Sequence, residues 1–212
     1  MHEELRGVSE HMRNLGLAAL AHAMQHTIFY SFENKFWGDL AILQAAHSAE
    51  ILIKAGIAEQ HPLLIFTELP KSTQFGDKLL NFQALIESGK TLQYQDLPER
   101  LWASTGYKIK NIDLYKSFGK LRNSIQHFAS PEGRNLMRDN LVFIFGVIDP
   151  LIHDFWGLYA MDFIEDPDGY EYVLHALIQN EISFLYPEEY KEDVENEKQN
   201  PLYGQDGKPS DF

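Results

Sequence analysis

The stretch from Phe36 to Glu59 constrains the fold more than any other part of the chain. Ile42, Ala45, Ala46, Ala49, Ile51, Leu52, Ile53 and Ile57 fill a wide apolar face there at helical spacing. A helix with so broad an apolar face has to bury it against other elements. Glu50 and Lys54 add a stabilising i,i+4 pair. His61-Pro62 bends or ends the helix, because a residue before proline avoids the helical region.

The rest of the chain supplies neighbours of the same type. Val8 to Tyr30 reads as a helix, with Leu17, Leu20, Ala21, Met24 and Ile28 mostly three and four apart. Leu79 to Glu87 predicts a short helix stopped by Ser88-Gly89-Lys90. Asp96-Leu97-Pro98-Glu99 looks like a helix start, with Asp96 or a neighbour as cap. Asp113 to Phe128 follows. Ser130-Pro131-Glu132 then closes that unit and opens another, with the serine as cap and the proline in the first turn. Leu136 to Met161 is strongly apolar and should kink or split at Pro150. Asp166-Pro167-Asp168-Gly169 is a turn before a final helix from Tyr170 to Leu185. Alternating strand patterns of useful length and internal repeats are both absent. The expected architecture is all-α, an antiparallel helical bundle.

Length and charge bound the function. The 212 residues suit one domain, expected over 1–186, with an acidic, flexible tail over 187–212. The net charge is −13, and the body without that tail is nearer −8. This argues against wrapping nucleic acid through a broad basic surface, but does not exclude a small basic cleft. With no cysteine there is no disulfide framework, thiol nucleophile or thiolate metal site. No signal-like start and no run of about 18 apolar residues is present, so a cytoplasmic location without membrane contact is the expectation.

One segment carries a chemical signal: Leu121-Arg122-Asn123-Ser124-Ile125-Gln126-His127-Phe128, late in a helix and just before the Ser130-Pro131 break. An Arg with a polar residue beside it and a His five positions on resembles the motif of HEPN domains. Upstream, Ala45-Ala46-His47-Ser48-Ala49-Glu50 on the second helix is similar to the core helix of that superfamily. The resemblance covers roughly 36–161, with the first helix and the last one as additions. A second Arg-x4-His, from Arg6 to His11, lacks the Asn and the preceding amphipathic run.

The residue types suit metal-independent RNA cleavage. A base must take the 2′-hydroxyl proton, a cation must stabilise charge on phosphorus, and an acid must protonate the leaving oxygen. Histidine titrates near neutral pH. Arginine grips phosphate oxygens in a bidentate way. Asparagine can donate to a phosphate oxygen or fix the imidazole tautomer. Asn123 and His127 share a helix face, whereas Arg122 points about 140° away from His127 on an ideal helix. They converge only if Arg122 reaches round or a second copy contributes. The resemblance implies a homodimer with a composite site, an RNA substrate, no cofactor, and a setting in defence, toxin action or stress, with an antitoxin or regulatory protein as a further partner. HEPN toxins paired with nucleotidyltransferase-like antitoxins often carry a Tyr two residues after the motif His. Here that position is Ala129, so control through such a tyrosine is unsupported. Read from the residues alone, an Arg and a His near a helix end also serve as a surface cap or an ordinary salt bridge. A non-catalytic HEPN-like interaction or nucleotide-binding module is the competing expectation.

Other groups are weaker. His22 and His26 are i,i+4, and His47 and Glu50 are i,i+3, which are metal-capable spacings more often found on polar faces. Asp149, His153 and Asp154 straddle Pro150 without a nucleophile elbow. Phe143, Phe145, Phe155 and Trp156 suit a core or a dimer seam.

Overall fold

A computed structural model of the chain describes residues 5–29, 31, 33–71, 80–165 and 169–199. Two helices form its axis, α1 (Val8–Ile28) and α2 (Trp37–Gln60). They run antiparallel: the Ser48 hydroxyl donates to the Gly16 carbonyl at 2.8 Å, and at the other end the His26 ring lies 4.0 Å from Trp37. Small residues allow this approach. A Cβ on Gly16 would sit 2.7 Å from the Leu52 side chain, and Ala23, Ala45 and Ala49 are fully buried beside it. By length and composition α2 could cross a membrane, but most of it is buried by its neighbours.

Further helices follow along the chain. They are α3 (Phe82–Ser88), α4 (Leu97–Thr105), α5 (Ile112–His127), α6 (Leu136–Phe143), α7 (Asp149–Trp156), α8 (Tyr170–Gln179) and α9 (Lys191–Gln199). α2 packs on α4, α5, α6 and α7 as well as α1. The amphipathic α5 buries Tyr115, Phe118 and Leu121, and Phe118 stacks on Phe143 of α6 with ring centroids 3.6 Å apart. The all-α class holds among the described residues, apart from a strand pair of β1 (Phe66–Glu68) and β2 (Lys90–Thr91), antiparallel and too short to leave an alternating pattern.

Several boundaries differ from the sequence reading, each for a local reason. α6 begins at Leu136, because Asn135 accepts the Arg138 N–H and Gly133 takes a turn conformation at φ +70°. Ser130 and Pro131 lie in the preceding loop. Pro150 does split the apolar run. The chain passes through a π-helical turn over Ile144–Ile148 before α7, and the Gly146 carbonyl accepts from the Asn111 side chain at 2.8 Å. A proline four residues on has no N–H to offer that carbonyl. Leu79, Tyr30 and Asp166-Pro167-Asp168 lie outside the described residues.

The acidic end is also more ordered than expected as far as Gln199. Val194 of α9 is fully buried, and Glu197 meets His175 of α8 at 2.6 Å. Residues 200–212 lie outside the described residues. Phe143 and Phe145 are core residues, which removes them from any dimer seam.

Candidate functional site

A cleft of about 600 Å³ opens along α5, walled on its other side by Gln93, Tyr94 and Gln95. Gln93, Tyr94, Gln95, Tyr115, Lys116, Gly119, Lys120, Arg122, Asn123 and His127 line it. The three residues singled out from sequence therefore face one open space. Arg122 does reach round the helix. Its guanidinium donates to the Asn123 side-chain oxygen at 3.0 Å, leaving the Asn123 amide hydrogens for an incoming acceptor. Arg122 is half-buried, and Asn123 and His127 are exposed.

α5 ends beneath this group in a defined way. The Ser124 carbonyl accepts the N–H groups of Phe128 and Ala129, both at 2.9 Å, and the Ser124 hydroxyl donates to the Ala129 carbonyl. His127 thus sits on the last helical turn, where the dipole favours an anion's absence and a cation's presence. Its ring has no hydrogen-bond partner among the described residues.

A locked tyrosine pair builds the wall. Tyr94 and Tyr115 stack with centroids 4.2 Å apart and planes within 2°. The Tyr115 hydroxyl donates to the Tyr94 carbonyl at 2.7 Å, and the Tyr94 hydroxyl to the Tyr115 carbonyl at 3.2 Å. Burial pushes both phenols well above the ordinary range, with Arg122 opposing the shift and Glu50 of α2 adding to it. They stay protonated at neutral pH and act as positioning groups. Gly119 makes the arrangement fit, since a Cβ there would lie 2.6 Å from the Tyr94 ring.

The charge in the cleft is one-sided. Some cations elsewhere are paired, Lys54 with Glu50, Lys90 with Glu68, Lys110 with Asp154, Arg134 with Asp139 and Lys191 with Glu188, while others such as Lys35 and Lys108 lie over aromatic rings instead. Lys116, Lys120 and Arg122 form no ion pair with a described residue, and no acid lines the cleft. Sequence reasoning missed Lys116, Lys120 and the tyrosines. The lysine signal was legible, because Lys116, Lys120, Asn123 and His127 are spaced four, three and four apart and so form one helical stripe.

No family model, curated protein or solved structure matches this chain.

The other sequence candidates have structural work. His22 pairs with Glu165 at 3.0 Å, and the ring of buried His26 bonds to the His22 carbonyl at 2.8 Å. Glu50 holds Lys54, and no set of three metal-capable side chains converges among the described residues. Asp149 is fully buried and accepts the N–H groups of Ala160 at 2.8 Å and Leu185 at 2.9 Å. His11 of the second Arg-x4-His lines an apolar groove away from α5.

Proposed function

We propose that the chain is a HEPN-like, metal-independent endoribonuclease working as a homodimer. The observation that carries this reading is the convergence of Arg122, Asn123 and His127 on a cleft whose charged side chains are cationic, in a protein of net charge −13. Arg122 holds the scissile phosphate and stabilises charge developing on its free oxygens. Asn123, fixed by Arg122, donates from its amide to the same phosphate. His127 takes the proton from the 2′-hydroxyl as that oxygen bonds to phosphorus and the 5′ oxygen departs. One imidazole serves as base, and a second copy across the dimer protonates the leaving oxygen. The products are a 2′,3′-cyclic phosphate and a 5′-hydroxyl.

The test is incubation of the purified protein with RNA in chelator, beside His127→Ala. Cleavage with cyclic phosphate ends, lowered on the order of 10²–10⁴-fold in the variant, is the expected result. Equal cleavage by both proteins, or none by either, overturns the reading. A second reading keeps the cleft as a non-catalytic nucleotide-binding module. It draws support from the His127 ring, which lacks the orienting partner that a general base normally has. Lys-dependent RNA binding without product would favour it.

A further inference from the structure

The cleft extends well beyond the three residues that the proposed chemistry uses. Lys116 and Lys120 project from the exposed side of α5, one helical turn apart, in line with Asn123 and His127. At ~1.5 Å rise per residue, neighbouring members of this stripe stand roughly 5–6 Å apart, and the whole stripe is on the order of 17 Å long. That length holds several nucleotides of an extended strand and is far more than one phosphate requires. Neither lysine is held by an acid among the described residues, and both line the same cleft as Arg122, Asn123 and His127.

We infer that Lys116 and Lys120 bind the phosphates flanking the scissile one, so that the substrate is a single strand laid along α5 and several nucleotides long. This rests on the nuclease reading for the identity of the scissile phosphate. The preference for a single strand follows from the chemistry. Attack by the 2′-oxygen needs it in line with the departing 5′-oxygen, and a stacked A-form duplex holds the two out of line. The wall formed by Gly119 and the tyrosine pair confines the strand on its other side.

The test uses the wild-type protein and 2′-O-methyl RNA, which binds but has no free 2′-hydroxyl to attack. Binding of a dinucleotide, an octanucleotide and an octanucleotide duplex is measured against salt, with wild type and a Lys116→Gln, Lys120→Gln double variant. The single-stranded octanucleotide is expected to bind at least about ten-fold tighter than the dinucleotide and the duplex. The double variant should bring its affinity down toward the dinucleotide's and reduce the salt slope by about 1.4, roughly 0.7 per lost phosphate contact on a single strand. An unchanged affinity and slope in the double variant overturns the inference, as does equal binding of dinucleotide and octanucleotide, or of strand and duplex. The two proposals fail separately. Lysine-dependent binding with no cleavage of unmodified RNA sinks the nuclease reading and leaves the track. His127-dependent cleavage with lysine-independent binding does the reverse.

Discussion

The α1–α2 pair and the exposed stripe of α5 are both helical surfaces, yet they obey opposite rules. Between α1 and α2 each side chain is chosen for volume. Gly16 admits Leu52, the alanines of α2 sit buried, and the polar Ser48 in the seam spends its hydroxyl on the Gly16 carbonyl. Along α5, charge is left unspent. Lys116, Lys120 and Arg122 carry no ion pair with a described residue although the chain holds 31 acidic residues against 18 basic ones. Close packing optimises the folded state itself. Unpaired like charges on one face raise its energy slightly and become favourable only when an anion arrives. On the function proposed above, the difference separates a surface made for folding from one made for binding.

Substitution should expose that division, most strongly in the core. Leu52→Ala removes a fully buried side chain against Gly16 and should cost about 2–5 kcal/mol of folding stability, read by chemical denaturation. A loss under about 1 kcal/mol would mean that the seam is not close-packed. A smaller effect comes from Asp149, whose carboxyl burial pushes up from the ordinary 3.8 to about 6, while the backbone N–H groups of Ala160 and Leu185 oppose the shift. The folded state then binds this proton more tightly than the unfolded chain. Its stabilising contribution is complete below 3.8 and is lost as pH rises through 6. Relative to Asp149→Asn, wild-type stability should fall on the order of 2–3 kcal/mol between about pH 4 and about pH 7. Parallel pH profiles for the two proteins would contradict the shift.

These two regions were not equally legible. The broad apolar face of α2 announces a central helix, because burial on all sides demands apolar residues all round. The location of Arg122, Asn123 and His127 on a late helix was readable too. What composition hid was their surroundings. Tyr94 lies 21 residues from Tyr115 along the chain, so no local spacing links the stacked pair. Arg122 points the wrong way on an ideal helix, yet its side chain reaches the cleft and bonds to its neighbour. The start of α6 was misread because Ser130-Pro131 and Asn135 both carry cap chemistry, and Gly133 decides between them by its left-handed turn. The two short strands leave no pattern at all.

Gly119 stands where the two regimes meet, and its substitution sharpens the comparison. A methyl group there would lie 2.6 Å from the Tyr94 ring, so the ring must move and the wall with it. Gly119→Ala gains up to about 1 kcal/mol in helix propensity and loses about 1–3 kcal/mol to crowding, for a net cost of about 1 kcal/mol. Its larger signature should be optical, a change in near-ultraviolet circular dichroism as the parallel tyrosine pair separates. An unaltered tyrosine signal would show that the ring yields without disturbing its partner.

The smallest expected effect tests the division most sharply. Lys116→Gln with Lys120→Gln removes two exposed charges that no described acid holds, and it leaves the buried face of α5, with Tyr115, Phe118 and Leu121, untouched. Long-range attraction to the acidic body is the only favourable interaction lost, and at physiological salt it is screened over about 8 Å. The repulsion between the two lysines and Arg122 disappears at the same time. Folding stability should therefore change by less than about 0.5 kcal/mol, read as the denaturation midpoint at unchanged slope. A loss above about 1 kcal/mol would place these lysines among the groups that hold the fold together. Their lack of acidic partners would then no longer point to an incoming anion.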